Sequence, residues 1–130
     1  MEKVKITLSA LWAARMLSGL QGDVMRFMGP GKLEEFIEGT SGVTITNELL
    51  LVMSIIFVVP IFMSFLSLTL KDKANRWANR IIGIFFVVFD LGFLILFWEP
   101  PAYEIFWNIV YLVFTALIVW YAWKWPKQEA

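Results

Sequence analysis

Three stretches of this chain are apolar over the length of a membrane crossing and almost free of charge. Leu49 to Leu70 and Ile105 to Trp123 contain no Asp, Glu, Lys or Arg, and Ile81 to Trp98 contains Asp90 alone. Crossing about 30 Å of hydrocarbon as a helix takes roughly 20 apolar residues, because backbone N–H and C=O groups in lipid have to be satisfied within the segment. The chain has 130 residues, 59% of them hydrophobic, and a mean hydropathy of +0.70. That is more apolar surface than a soluble domain of this size uses for its core. The sequence therefore predicts a single integral membrane domain over residues 1–130.

A fourth segment, Ile6 to Met28, is long enough to cross but carries Arg15, Gln21, Asp23 and Arg26. Its small residues Ala10, Ala14, Ser18 and Gly22 recur every four positions, a ridge that lets helices approach closely in a membrane. Lys3 and Lys5 ahead of an apolar stretch are also how a secretory signal begins, but Arg15 interrupts the apolar core such a signal needs. The segment is expected to be a packed span. The expected spans are 6–28, 48–70, 78–98 and 104–124, forming an all-α, transmembrane, antiparallel four-helix bundle.

If all four cross, both termini and the 71–80 loop share a side holding Lys3, Lys5, Lys71, Lys73, Arg76, Arg80, Lys124 and Lys127, against Arg26 and Lys32 near the other. Positive residues stay in the cytoplasm, so both termini are expected there. In the first outer loop, Gly29-Pro30-Gly31 breaks the helix, and Leu33, Phe36 and Ile37 then share a face opposite Lys32, Glu34, Glu35 and Glu38. A short interfacial helix stopping at Gly39 is expected, with the carboxylates as its solvated side. Thr46 and Asn47 are placed to cap the second span. Glu99-Pro100-Pro101-Ala102 predicts a tight turn, since proline stops a helix. Trp120-Tyr121-Ala122-Trp123-Lys124-Trp125 has the aromatic character of a headgroup belt. The methionines at 16, 25, 28, 53 and 63 are expected to face lipid or fill the packing.

Absences narrow the chemistry. The chain has no histidine and no cysteine, and its formal net charge is zero. There is thus no thiol, no imidazole ligand or proton shuttle, and no electrostatic basis for a nucleic-acid partner. No metal and no cofactor are expected.

What remains is polarity inside the spans. At about 1.5 Å per residue, Arg15 lies about 14 Å and Asp90 about 18 Å from the cytoplasmic ends of their helices, close enough in height to pair. An ionisable side chain at such depth costs roughly 2.5–3.5 kcal/mol on insertion scales and turns toward the interior or a cavity. Asn79, Gly83 and Phe86 share the face of Asp90. On the fourth span, Glu104, Asn108, Tyr111 and Thr115 make a polar stripe descending from the outer surface. Asp23, Gln21 and Glu48 are expected at that outer level, and Pro60 to loosen the middle of the second span.

Leu11-Trp12, Gly22-Asp23, Arg76-Trp77-Ala78-Asn79 and the closing aromatic run resemble a family of small four-span prokaryotic membrane proteins known only as a domain of unknown function. The likeness runs over nearly the whole chain. It implies this architecture and a prokaryotic cytoplasmic membrane, and it brings no activity with it.

Three functions fit these residues. The preferred one is binding or transport of a small lipophilic molecule or ion in an outer-facing polar pocket of Arg15, Gln21, Asp23, Glu48, Asp90, Glu104, Asn108, Tyr111 and Thr115. The alternative is a non-catalytic structural or accessory subunit in contact with membrane lipid, self-associating through the small-residue ridge. An enzyme using Asp23, Glu104 or Glu48 as acid and base is disfavoured, because no nucleophile or phosphate loop accompanies them.

Overall fold

Helix boundaries in this chain follow local chemistry, and the computed structural model, which describes residues 3–39, 46–96 and 102–125, contains five helices among those residues. They are α1 (Lys3–Met28), α2 (Lys32–Glu38), α3 (Asn47–Thr69), α4 (Asp72–Leu96) and α5 (Ala102–Trp123). The fold is all-α, as expected. After α1 the chain turns through Gly31 at φ 75, and α2 ends at Gly39 with φ 74, where the Gly39 N–H reaches the Glu35 and Phe36 carbonyls. Both positions need the left-handed backbone that glycine takes without a steric cost. Phe36 folds back edge-on against Phe27, with ring centroids 5.1 Å apart, while Leu33 and Ile37 stay exposed. The Thr46 hydroxyl caps α3 by accepting from the Leu49 N–H at 3.0 Å.

The expected loop at 71–80 is helix. Only Leu70 and Lys71 separate α3 from α4, because the Asn75 amide in the first turn of α4 donates to the carbonyls of Ser67 (2.8 Å) and Leu70 (3.4 Å). That side chain closes the end of α3 from within α4. Asp72, at the start of α4, suits a helix N-terminus and pairs with Lys5 at 2.9 Å. The basic decad is a helical extension of the apolar run. The Glu99-Pro100-Pro101 turn and the expected end of the third span at Trp98 lie outside the described residues.

Contacts along the helices set their order and direction. Ser9 donates to the Ser64 carbonyl (2.6 Å), Gly83 approaches Val119, Arg26 meets Glu104, and Arg80 donates to the Ala122 carbonyl (3.1 Å) near the end of α5. Helices α1 and α3, α3 and α4, and α4 and α5 therefore run antiparallel, as do α1 and α5. Helix α1 packs on α3 and α5 and α4 on α5, α3 touches α4 sparingly, and the backbones of α1 and α4 scarcely approach. These two are diagonal, so only long side chains join them.

One half of the interior is densely filled. Leu8, Trp12, Met63, Phe86 and Ile118 are fully buried there with Val4 and Trp125, Trp12 edge-on to Phe86 at 5.8 Å. Across the diagonal, Trp12 Nε1 donates to Asn79 Oδ1 at 2.7 Å, and the Asn79 amide donates to Asn75 Oδ1 at 2.7 Å. A buried amide must find such partners, and here each does. Trp120, Tyr121 and Trp123 are exposed, as a headgroup belt requires, but Trp125 is turned into the core.

Asn47–Thr69, Asp72–Ile95 and Ala102–Trp123 are long and apolar enough to cross a membrane. Helix α3 exposes Leu50, Leu51, Val52, Ile55, Ile61, Phe62 and Phe65. Its exposed Ser54 and Thr69 bond back to the Leu50 (2.7 Å) and Phe65 (3.3 Å) carbonyls, which satisfies both hydroxyls within the helix. Helix α1 is the exception. It interrupts its apolar residues with Arg15, Asp23 and Arg26 and is not among the three.

A Cβ added at Gly83 would stand 3.0 Å from Val119 Cγ2 and 3.3 Å from Ile118 Cγ2, whereas one at Gly92 meets nothing within 4 Å. Gly83→Val is expected to cost about 1–3 kcal/mol by overpacking, read as a shifted unfolding midpoint in detergent, and Gly92→Val to cost little. Equal midpoints for the two variants would contradict the close α4–α5 approach.

Candidate functional site

The densely packed half of the interior ends at Phe86, and above it sits a buried ion pair. Arg15 Nη2 lies 2.5 Å from Asp90 Oδ1, with the two side chains only 3% and 1% exposed. Thr115 on α5 donates to the other carboxylate oxygen at 2.8 Å, the same hydroxyl standing 2.8 Å from its own helix's Tyr111 carbonyl. The guanidinium is held between two rings, 4.8 Å from the Phe86 centroid and 5.1 Å from that of Tyr111. Arg15, Asp90 and Thr115 thus tie α1, α4 and α5 at one level. The face Asn79, Gly83, Phe86 and Asp90 is buried throughout, as its spacing predicts.

Above this level the stripe on α5 continues. The Tyr111 hydroxyl donates to Asn108 Oδ1, and buried Glu104 accepts from Arg26 Nε at 2.7 Å. Arg26 also stands 3.7 Å from Asp23, whose side chain is 57% exposed. Of the small-residue ridge, Ser18 is buried and Gly22 lies against Trp107, where a Cβ would come within 3.0 Å of Trp107 Cβ, while Ala10 is exposed. The outer part of the ridge is covered by α5.

Between α1, α3 and α4, where α3 and α4 draw apart, lies a cavity of about 160 Å³. Arg15, Asp90 and Tyr111 supply its polar inner wall and Asp23 and Arg26 its rim. Met16, Leu20, Met53, Phe57, Phe89 and Phe93 supply the apolar side. Exposed Asp23 and Leu20 mark where it reaches the surface. A second, small recess of about 10 Å³ lies nearby, lined by Gly22, Glu104, Trp107 and Asn108 among others.

Of the residues expected at the site, Arg15, Asp23, Asp90 and Tyr111 line the cavity, and Thr115, Asn108 and Glu104 hold the lining residues in place. Gln21 and Glu48 do not join them. At 100° per residue, Gln21 stands about 120° around α1 from Arg15, which turns it outward, and it is exposed. Glu48 is exposed in the first turn of α3, where a carboxylate complements the helix N-terminus. Arg26, which no expectation assigned to the site, is central to its rim. Its offset of eleven from Arg15, three helical turns, was the available signal. The apolar wall had none, since Met53, Phe57 and Phe89 read as ordinary apolar positions.

Asp23 and Glu104, the two carboxylates at one depth, are each tied to Arg26. Among the described residues, no group of three or more His, Cys, Asp or Glu is placed to hold a metal ion.

An all-α chain with three helices long and apolar enough to cross a membrane is consistent with a membrane protein. The chain belongs to the DUF6326 family, a family of unknown function, which it matches over residues 1–130. The likeness carried by its short motifs is thus to a family without an assigned activity. No curated protein and no solved structure matches the chain.

Removing one partner of a buried pair strands the other charge, at a cost of about 3–5 kcal/mol. Arg15→Leu and Asp90→Leu are each expected to lose that much stability in detergent, and the double variant to lose less than the sum. Strictly additive losses would contradict the pairing.

Proposed function

We propose that this chain is a four-span integral protein of a prokaryotic cytoplasmic membrane that binds a small lipophilic molecule in the cavity beside Arg15 and Asp90. The cavity itself carries the reading, being the place where charged groups and apolar walls converge on a space of molecular size. Membrane residence is supported by the three apolar helices and by the exposed Leu, Ile and Phe side chains of α3. That α1 crosses with them is supported by its extent. Lys5 pairs with Asp72 at the start of α4, and Arg26 with Glu104 at the start of α5. Helix α1 therefore runs the full length of its neighbours, with Arg15 buried among them.

A cytoplasmic location of both termini is supported by the eight basic residues on their side. The chain contains no cysteine, so single introduced thiols report topology cleanly. With a membrane-impermeant maleimide on intact cells, Glu35→Cys is expected to label, and Lys3→Cys and Lys73→Cys only after lysis. Labelling of Lys3→Cys on intact cells alongside Glu35→Cys would rule out a crossing α1.

Binding is favoured over proton-coupled transport because both Asp90 oxygens are already engaged by Arg15 and Thr115. The same observation favours a second reading, in which the polar groups serve only helix packing in an accessory subunit. Filling the cavity separates the two. Met53→Trp is expected to abolish binding of a small apolar probe while preserving the helical fold, as read by ligand-observed NMR and circular dichroism. A cavity that takes up no probe in the native chain would favour the packing role.

A further inference from the structure

The hydrogen-bonding groups on the cavity's inner wall are unequally used, and the inequality names a ligand class. A guanidinium carries five N–H donors. Among the described residues, Arg15 uses one nitrogen, Nη2, on Asp90, while its buried Nε has no acceptor. Its Nη1 has no hydrogen-bond partner among those residues either, and lies beside Gly19, whose added Cβ would come within 3.5 Å of it. Gly19 borders the outer recess, and Arg15 lines the cavity. On the inner wall the carboxylate, by contrast, is engaged: Asp90 takes Arg15 on one oxygen and Thr115 on the other. The Tyr111 hydroxyl proton is committed to Asn108, while Asp23, largely exposed and 3.7 Å from Arg26, stands at the rim.

Charge and size narrow the class further. The lining contains two arginines and two aspartates, which cancel, so an ion of either sign would enter without a counter-charge. The volume, about 160 Å³, is close to that of an engineered apolar cavity of about 150 Å³ that takes benzene. Phe57, Phe89 and Phe93 flank the space with Met16 and Met53, a wall of aromatic and thioether surface suited to a flat apolar body.

Resting on the binding reading above, we propose that the cavity takes an uncharged, single-ring-sized apolar molecule bearing a carbonyl-type oxygen, which accepts from the Arg15 guanidinium while its ring lies against the phenylalanine and methionine wall. Leu20 and Asp23, both exposed and both at the lining, give it access from the lipid side and the outer aqueous side.

The test uses two fluorinated probes of nearly equal shape, para-fluoroacetophenone and its olefin analogue para-fluoro-α-methylstyrene, in which C=CH₂ replaces C=O. Binding to the full chain in lipid nanodiscs is read by fluorine NMR, with protein-free nanodiscs subtracted for partitioning. The ketone is expected to bind about tenfold tighter than the olefin, the effect of one hydrogen bond to a charged donor. The double variant Arg15→Leu with Asp90→Leu, which removes the donors without stranding a charge, is expected to bring the ketone down to the olefin's level. Met53→Trp is expected to exclude both. Equal binding of the two probes, lost in Met53→Trp, would overturn the acceptor proposal and leave the binding reading standing. A ketone preference that survives in the folded double variant would also overturn it. If the double variant does not fold, the native comparison of ketone with olefin decides. No binding of either probe above the nanodisc background would overturn the binding reading itself.

Discussion

A full charge has no favourable place in an apolar interior except beside its opposite, and the contact of Arg15 with Asp90 meets that condition between two helices whose backbones scarcely approach. Much of the arrangement follows from this. Helices α1 and α4 stand diagonally opposed, so the residues that join them have to be long: Lys5 to Asp72, Trp12 to Asn79, Arg15 to Asp90. A helix carrying Arg15, Asp23 and Arg26 is tolerated among apolar neighbours because each of these charges meets an opposite one. The two rings around the guanidinium and the Thr115 hydroxyl complete the shell.

The pair also divides the interior. On the side of the Asn75 and Asn79 amides, Trp12, Phe86, Met63 and Ile118 are fully buried, and glycine at 83 lets α4 and α5 come close together. On the other side, α3 draws away from α4 and the space between them becomes the cavity. A sealed half holds the helices in register. An open half presents the pair's unused donors to a space of molecular size.

Sequence periodicity made the skeleton legible because three helices are long, apolar and bounded by identifiable stops. The breaks at Gly31 and Gly39, the cap at Thr46 and the short amphipathic α2 follow from rules spanning three or four residues. The Arg15–Asp90 pair was legible too, since charge so deep has few alternatives and helical rise fixes its depth. The loop expected at 71–80 failed for a specific reason. A polar stretch between apolar runs reads as loop, but Asn75 turns its amide back onto α3 and lets α4 start almost at once. Gln21 and Glu48 were misplaced because depth was considered without azimuth. Trp125 was read from its neighbours' belt pattern although its own position turns inward. The apolar wall was out of reach, because which Met or Phe borders a cavity depends on where two helices diverge, a property of packing with no local signature.

The most direct measurement is a solid-state NMR dipolar coupling between guanidino nitrogens labelled at Arg15 and the carboxyl carbon of Asp90, recorded on the protein in lipid bilayers. Direct contact of the two groups is expected, with the Asp90 carbon showing no transfer from lipid acyl protons. A missing nitrogen–carbon coupling together with strong acyl-chain transfer to Asp90 would mean that the charges face the lipid separately, and would contradict the interior described above.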